Sequence, residues 1–141
     1  MKFTRATTSH FRDITEALRI EGLCFDDIDL KKDTYYVAAN EHIQMLYGFE
    51  LFGSDALLRS VWIAQERRGK GFGHDLMSSI LNQAKDLEIS SLYLLTTTAA
   101  PYFERGGFSK INRTDVPESI ENTNEFKNYC PDTAVCMKYD M

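Results

Sequence analysis

The sequence predicts a mixed α/β domain, on three observations. Leu92-Tyr93-Leu94-Leu95, within Ser91–Thr97, is a nearly continuous apolar run, as in a central strand buried on both faces. Ahead of it, from about residue 71 to Leu87, the residues Leu76, Met77, Ile80, Leu81, Ala84 and Leu87 recur at helical spacing. Before that helix stands the strand Ala56–Ile63, so strand, helix and strand make a βαβ unit with two parallel strands.

The other elements follow in order. Lys2–Ala6 reads as a short strand, and Thr7 or Thr8 caps a helix to about Glu21 with Phe11, Ile14, Ala17 and Leu18 as its apolar stripe. Leu23–Leu30 is irregular, with room for a second short helix. Its acids Asp26, Asp27 and Asp29 lack the glycine and distal Glu of a calcium loop and read as a solvated turn or helix cap. Tyr35–Ala39 and Ile43–Phe52 make a hairpin, and Gly53-Ser54-Asp55 turns the chain into the next strand. After the βαβ unit come a short helix Ala99–Arg105 ended by Gly106-Gly107, a strand Phe108–Arg113, a helical segment from Pro117 to about Tyr129, and a last strand Ala134–Tyr139. Trp62 and the aromatics Tyr35, Tyr36, Tyr47, Phe49 and Phe52 read as packing.

At 141 residues the chain suits one domain, 1–141. A net charge of −5 argues against a general binder of nucleic acid or anionic membrane, so the basic cluster at 67–70 stands out locally. No apolar run approaches the ~20 residues that span a bilayer, and Met1–Arg5 has no signal-peptide core; a cytoplasmic protein is expected. The three cysteines, Cys24, Cys130 and Cys136, match no zinc or CxxC spacing and read as reduced, buried thiols; no metal is expected. The apolar C-terminal strand is compatible with a homodimer.

The most informative stretch is Val61-Trp62-Ile63-Ala64-Gln65-Glu66-Arg67-Arg68-Gly69-Lys70-Gly71-Phe72-Gly73-His74, a strand, a basic glycine-rich turn and a helix start. Glycine permits a sharp turn and close approach of backbone to a ligand. The N–H groups of the following helix start, at the positive end of its dipole, make a phosphate or pyrophosphate site. The spacing fits neither a Walker A loop, which needs Ser or Thr after Lys70, nor a dinucleotide fingerprint, which needs glycine where His74 stands. A turn without a ligand is the simpler alternative.

What stands there is Arg68-x-x-Gly71-x-Gly73, which resembles the acetyl-CoA loop of the GNAT family of N-acetyltransferases. The predicted element order is also similar to that family's, as is Pro101-Tyr102-Phe103-Glu104-Arg105-Gly106-Gly107-Phe108, a short helix ending in Gly-Phe before a strand. The likeness spans nearly the whole chain and is most specific over 56–108. Leu57-Leu58-Arg59-Ser60, Leu92–Ala99, Phe126, Cys130-Pro131 and Ala134 resemble the small acetyltransferases found with arsenic-resistance genes. The Leu94–Thr97 run, Phe103–Phe108 and Val116-Pro117-Glu118-Ser119 resemble the acetyltransferase domain of N-acetylglutamate synthase.

These resemblances imply a GNAT fold, with a mixed, mostly antiparallel sheet and splayed parallel central strands, acetyl-CoA as cosubstrate, and the amine of a small carboxylate-bearing acceptor as partner. They also imply roles. Backbone N–H groups of Arg68, Gly69, Lys70, Gly71, Phe72, Gly73 and His74 hold the pyrophosphate, with charge from Arg68, Lys70 and Arg67. Val61, Trp62 and Ile63 pair with pantetheine as a false strand, with the Val61 N–H on the thioester carbonyl.

The family's usual Glu falls on Leu57, which leaves Glu50 as the candidate base, against a plain strand carboxylate. Its usual Tyr falls on Phe103. Tyr102 is then the candidate acid, unless the thiolate leaves unaided. Residues 57, 59 and 61 share a face of an unbroken strand. Arg59 is thus the candidate clamp for the acceptor's carboxylate, against a surface arginine paired with Asp55 or Glu50. Thr96, Thr97 and Thr98 are candidate acceptor contacts, against strand-end capping. A CoA-binding module without chemistry is the rival reading.

Overall fold

The computed structural model describes residues 2–129 and 133–141; Cys130 and Pro131 lie outside them. The described strands form a single seven-stranded sheet in the order β1-β2-β3-β4-β5-β7-β6. Here β1 is Thr4–Arg5, β2 Thr34–Ala39, β3 Ile43–Phe52, β4 Asp55–Ile63, β5 Ser91–Thr96, β6 Ser109–Ile111 and β7 Val135–Asp140. The first four strands form an antiparallel meander, β4 and β5 are parallel, and β7 runs antiparallel between β5 and β6. The helices are α1 (Phe11–Ile20), α2 (Phe72–Asp86), α3 (Ala100–Arg105) and α4 (Glu118–Glu121).

Alternation along the strands gives the sheet two apolar faces. On one, α2 contributes Leu76, Met77, Ile80 and Ala84 and α3 contributes Phe103, packed on Met45, Tyr47, Phe49, Leu58, Leu92 and Leu94. The other face carries two smaller clusters. Ile14 and Leu18 of α1 cover Tyr35, Val37 and Leu46, while Val116, Ile120 and Phe126 cover Leu57, Tyr93 and Cys136. Full burial of each such aliphatic or aromatic side chain is worth about 1.5–3 kcal/mol. Tyr35, Tyr47 and Phe49 are fully buried, as their reading as packing residues requires.

One irregularity in β4 shapes everything downstream. Gly48 faces Arg59 and Leu46 faces Trp62, so β4 holds one residue more than β3 over this stretch, a β-bulge. Ser60 has φ of 62°, a left-handed conformation unusual for a residue with a Cβ. Its Oγ lies 2.7 Å from the Tyr35 hydroxyl in a buried pair. The Tyr35 ring reaches it by crossing Gly48, where a Cβ would stand 2.5 Å from the ring. The bulge overturns the expectation that 57, 59 and 61 share a face. Leu57 packs in the α4 cluster, whereas Val61 and Ile63 pack on the α2 side.

Other departures are local. The first helix begins as a 3-10 turn, Thr8–His10, where His10 Nδ1 accepts the Thr7 N–H at 3.0 Å, and Phe11 is 44% exposed rather than part of the buried stripe. No second helix forms in residues 23–33, which are turns. The segment after Pro117 is not continuous. It is α4 and then a π-helical turn, Glu125–Tyr129, divided where the Thr123 hydroxyl donates to the Ile120 carbonyl and takes over a helix-end acceptor. Strand β7 is interior rather than an edge, so its apolar residues are covered within the monomer and supply no reason for a dimer. Among the described residues no helix is long and apolar enough to cross a membrane.

Candidate active site

Pairing of β4 with β5 covers only Asp55–Leu57 against Ser91–Tyr93. Beyond Leu57 the parallel strands diverge and leave a cleft of about 640 Å³. One wall is Leu58–Ile63 of β4, and the other is Leu94–Thr96 with Thr97, Thr98 and Ala99. Glu21–Cys24, after α1, close over it, and Tyr102 and Phe103 of α3 line its side.

At one end of the cleft is the glycine loop. A 3-10 turn, Gln65–Arg67, leads through Arg68 to Gly69 at φ 74° and Gly71 at φ 85°, the N-cap of α2. A Cβ at either glycine would meet nothing within 4 Å, so the backbone conformation selects glycine, and the space above it is open. Fifteen-residue α2 starts there with its first-turn N–H groups and positive dipole end. An open cradle of backbone at a helix start, beside strands that have parted, fits a CoA pyrophosphate and its pantetheine arm.

The loop's side chains divide. Arg68 lines the cleft, donating from Nε to the Ile63 carbonyl at 2.9 Å and from Nη2 to Glu21 at 2.5 Å. Arg67 turns away, with Nε on Gln44 at 3.0 Å and its guanidinium 5.1 Å from the Phe72 ring centre. Lys70 and His74 are exposed. Trp62 lines the cleft while packing with the α1 cluster. The Tyr102 hydroxyl donates to the Gly73 carbonyl at 2.6 Å, and burial pushes it up to about 12, so it stays protonated at neutral pH.

The other end is crowded with charge. Arg59, whose side chain is fully buried, forms a fork on Asp27, Nη2 to Oδ1 at 2.6 Å and Nη1 to Oδ2 at 2.8 Å. Nη1 also reaches Glu50 at 2.6 Å, and Nη2 reaches the Cys24 sulfur at 3.0 Å. Burial opposes the Asp27 charge, but the hydrogen bonds from Arg59 and Cys24 prevail and hold its carboxyl down to about 2.

This corrects two readings. Asp27 is no solvated turn acid. Arg59 is paired with Glu50, as its alternative reading had it, but it lies in the interior, and its bidentate face is occupied by Asp27. Glu50 is engaged by Arg59 and does not line the cleft, an arrangement that suits a positioning carboxylate better than a base. Of the threonines, Thr96 ends β5 and closes the turn after it by accepting the Ala99 N–H at 3.0 Å, while Thr97 and Thr98 are exposed on the cleft wall.

The sequence reading missed Glu125. It opens the π-helical turn, lines the cleft, and is 9% exposed. Its Oε2 is buried with no hydrogen-bond partner among the described residues. Burial pushes its carboxyl up to about 7, against the lowering effect of Arg59. No motif marks it; only the fold brings position 125 beside 59.

Residues 31–110 match the model of the GNAT acetyltransferase domain. The chain is similar to solved structures from several bacteria. A Mycobacterium tuberculosis protein, Rv2747, crystallised with CoA, is 19% identical with a TM-score of 0.79 over 100% of this chain and 99% of that one. The Neisseria gonorrhoeae N-acetylglutamate synthase, with CoA and L-arginine, is 14% identical with a TM-score of 0.78 over 99% of this chain. This chain spans only 33% of that synthase. A GNAT acetyltransferase from Staphylococcus aureus is 19% identical with a TM-score of 0.73, over 99% and 98% of the two chains. The domain match covers more than half of the residues: this chain belongs to the GNAT family of N-acetyltransferases.

Proposed function

We propose that the protein transfers the acetyl group of acetyl-CoA to the amine of a small acceptor that enters the cleft between β4 and β5. The observation that supports this most is the open backbone cradle at Gly69–Gly71 opposite the end of β4–β5 pairing. First-turn N–H groups of α2, with Arg68, would hold the pyrophosphate, and the cleft-facing backbone of Val61–Ile63 would pair with pantetheine. Acetyl-CoA brings an activated thioester; the chain binds it, orients the amine and excludes water. Tyr102, protonated and facing the cleft, is the group available to supply a proton to the departing thiolate.

A carboxylate-bearing acceptor, such as an amino acid or the analogues tied to arsenic resistance, rests on the resemblances to N-acetylglutamate synthase and to the acetyltransferases found with arsenic-resistance genes. Because Asp27 and Glu50 already hold Arg59, such a ligand would have to exchange with Asp27 or use Arg68. The acids at this end favour an acceptor that arrives as an ammonium ion.

The alternative is a CoA-binding module without chemistry. Leu57 and Phe103, buried apolar side chains at the positions where the family resemblance implies an acid and a tyrosine, favour it. Thiol release from acetyl-CoA with glycine, L-glutamate, ethanolamine and putrescine separates the two. Amine-dependent release supports transfer. Tight CoA binding with no release from any amine supports the silent module.

A further inference from the structure

We propose that Glu125 is the catalytic base that takes the proton from the acceptor ammonium. The inference deepens the acetyl-transfer reading and rests on it.

The geometry carries it. Glu125 is nine-tenths buried, yet it lines the same cleft as Val61, Thr97 and Thr98. Its Oε2 has no hydrogen-bond partner among the described residues. A buried polar atom without a partner costs free energy unless something else satisfies it. Arg59 Nε, likewise buried without a partner, makes no hydrogen bond to Oε2; a donor entering from the cleft would satisfy that oxygen, and an ammonium N–H is such a donor. Its place on a π-helical turn agrees, since these widened turns recur at functional sites.

The surroundings explain why Glu125, and not a neighbour, remains available. The groups facing it are Arg59 from β4, Glu50 from β3, Asp27 and Cys24 from the loop after α1, and Tyr35 from β2. Arg59 bonds Asp27, Glu50 and Cys24, and Tyr35 bonds Ser60. Three carboxylates thus share one guanidinium, and Glu125 has no hydrogen bond to it. A carboxyl at about 7 matches a base that must hold a proton briefly at neutral pH.

The step balances as follows. The ammonium loses one proton to the Glu125 carboxylate, and the freed amine lone pair attacks the thioester carbonyl carbon. A C–N bond forms, the C–S bond breaks and its electron pair leaves with the CoA sulfur. The second amine proton, released as the amide forms, passes to solvent, while the thiolate takes a proton from Tyr102, which leaves the Gly73 carbonyl to give it and regains one from solvent. Glu125 returns its proton to solvent.

The test uses the full chain, acetyl-CoA and whichever of glycine, L-glutamate, ethanolamine or putrescine is turned over, across pH 6–9. Glu125→Gln is expected to lower kcat about 10²–10⁴-fold. Its CoA affinity by calorimetry should stay within about twofold, because the pyrophosphate end is untouched. The rise of kcat/KM through pH ~7 should vanish, a change that a merely structural role would not produce. Glu125→Asp should keep that rise at reduced kcat, which preserves the test if the Gln variant folds poorly. Wild-type turnover with an unchanged rate and pH profile in both variants overturns the proposal alone. A wild type that binds CoA but acetylates none of the four amines overturns acetyl transfer and this proposal together.

Discussion

The two ends of the cleft are built on opposite plans. The glycine-loop end is local and made of backbone: residues 65–74 are contiguous, and what they offer is N–H groups over open space. The charged end is assembled from side chains at 24, 27, 50, 59 and 125, and most of its polar atoms already answer one another. The first resembles a socket awaiting an anion. The second is a largely self-satisfied network with two buried atoms left over, Glu125 Oε2 and Arg59 Nε. In the proposed reaction, carrier binding would therefore be decided by chain conformation, and acceptor chemistry by a balance of buried charge.

That contrast can be broken or sharpened by substitution. The largest effect is expected from Arg59→Met, which strips the shared cation from Asp27 and Glu50. Breaking a buried pair this way costs about 3–5 kcal/mol. Thermal denaturation should show a fall of roughly 10 °C. A shift under ~2 °C would mean that the network is not what holds this end together.

Next is Gly71→Val. A β-branched residue in a left-handed N-cap strains the loop and places methyl groups where the diphosphate approaches, so CoA affinity should fall about 100-fold, or ~2.7 kcal/mol. Titration calorimetry checks it; a dissociation constant within ~3-fold of wild type would remove the cradle from the account.

The third concerns stability and pH. The Glu125 carboxyl titrates at about 7 in the folded chain, above its ordinary 4.5. Whatever stability goes with its protonated form is present below 4.5 and is lost as pH rises to 7. Relative to Glu125→Gln, the wild type should lose on the order of 3 kcal/mol across that window and then run level. Urea denaturation at pH 4.5, 6 and 8 measures this, and parallel curves for the two proteins would contradict it. The same substitution that slows acetyl transfer should thus stabilise the fold at pH 8. The smallest effect belongs to Glu21→Gln. It releases Arg68 from a surface pair worth about 0.2–1 kcal/mol, so CoA should bind some 2–5-fold tighter at low salt and indistinguishably at high salt.

What the sequence could disclose follows the same division. The βαβ unit, the meander and the Arg68-to-Gly73 loop were legible because each is written in consecutive residues: period 3.6 over 76–87, an apolar run at 92–95, alternate glycines. The bulge was not, since Ser60 carries no turn signature and its left-handed backbone is held by Tyr35 from another strand. Assuming an unbroken period of two carried Val61 to the wrong face. Asp27 looked like a solvated acid because its cationic partner, Arg59, is 32 residues away. Glu125 gave no signal at all, as its character comes from burial. All three threonines line the cleft, and Thr96 also closes the turn after its strand.

The left-handed kink at Ser60 has a wider effect than turning one side chain. It divides a single ribbon into two stretches, since Leu57 packs toward α4 while Val61 and Ile63 pack toward α2. On the proposed reading, a change upstream of the kink alters the acceptor end while the strip that would hold the donor keeps its packing.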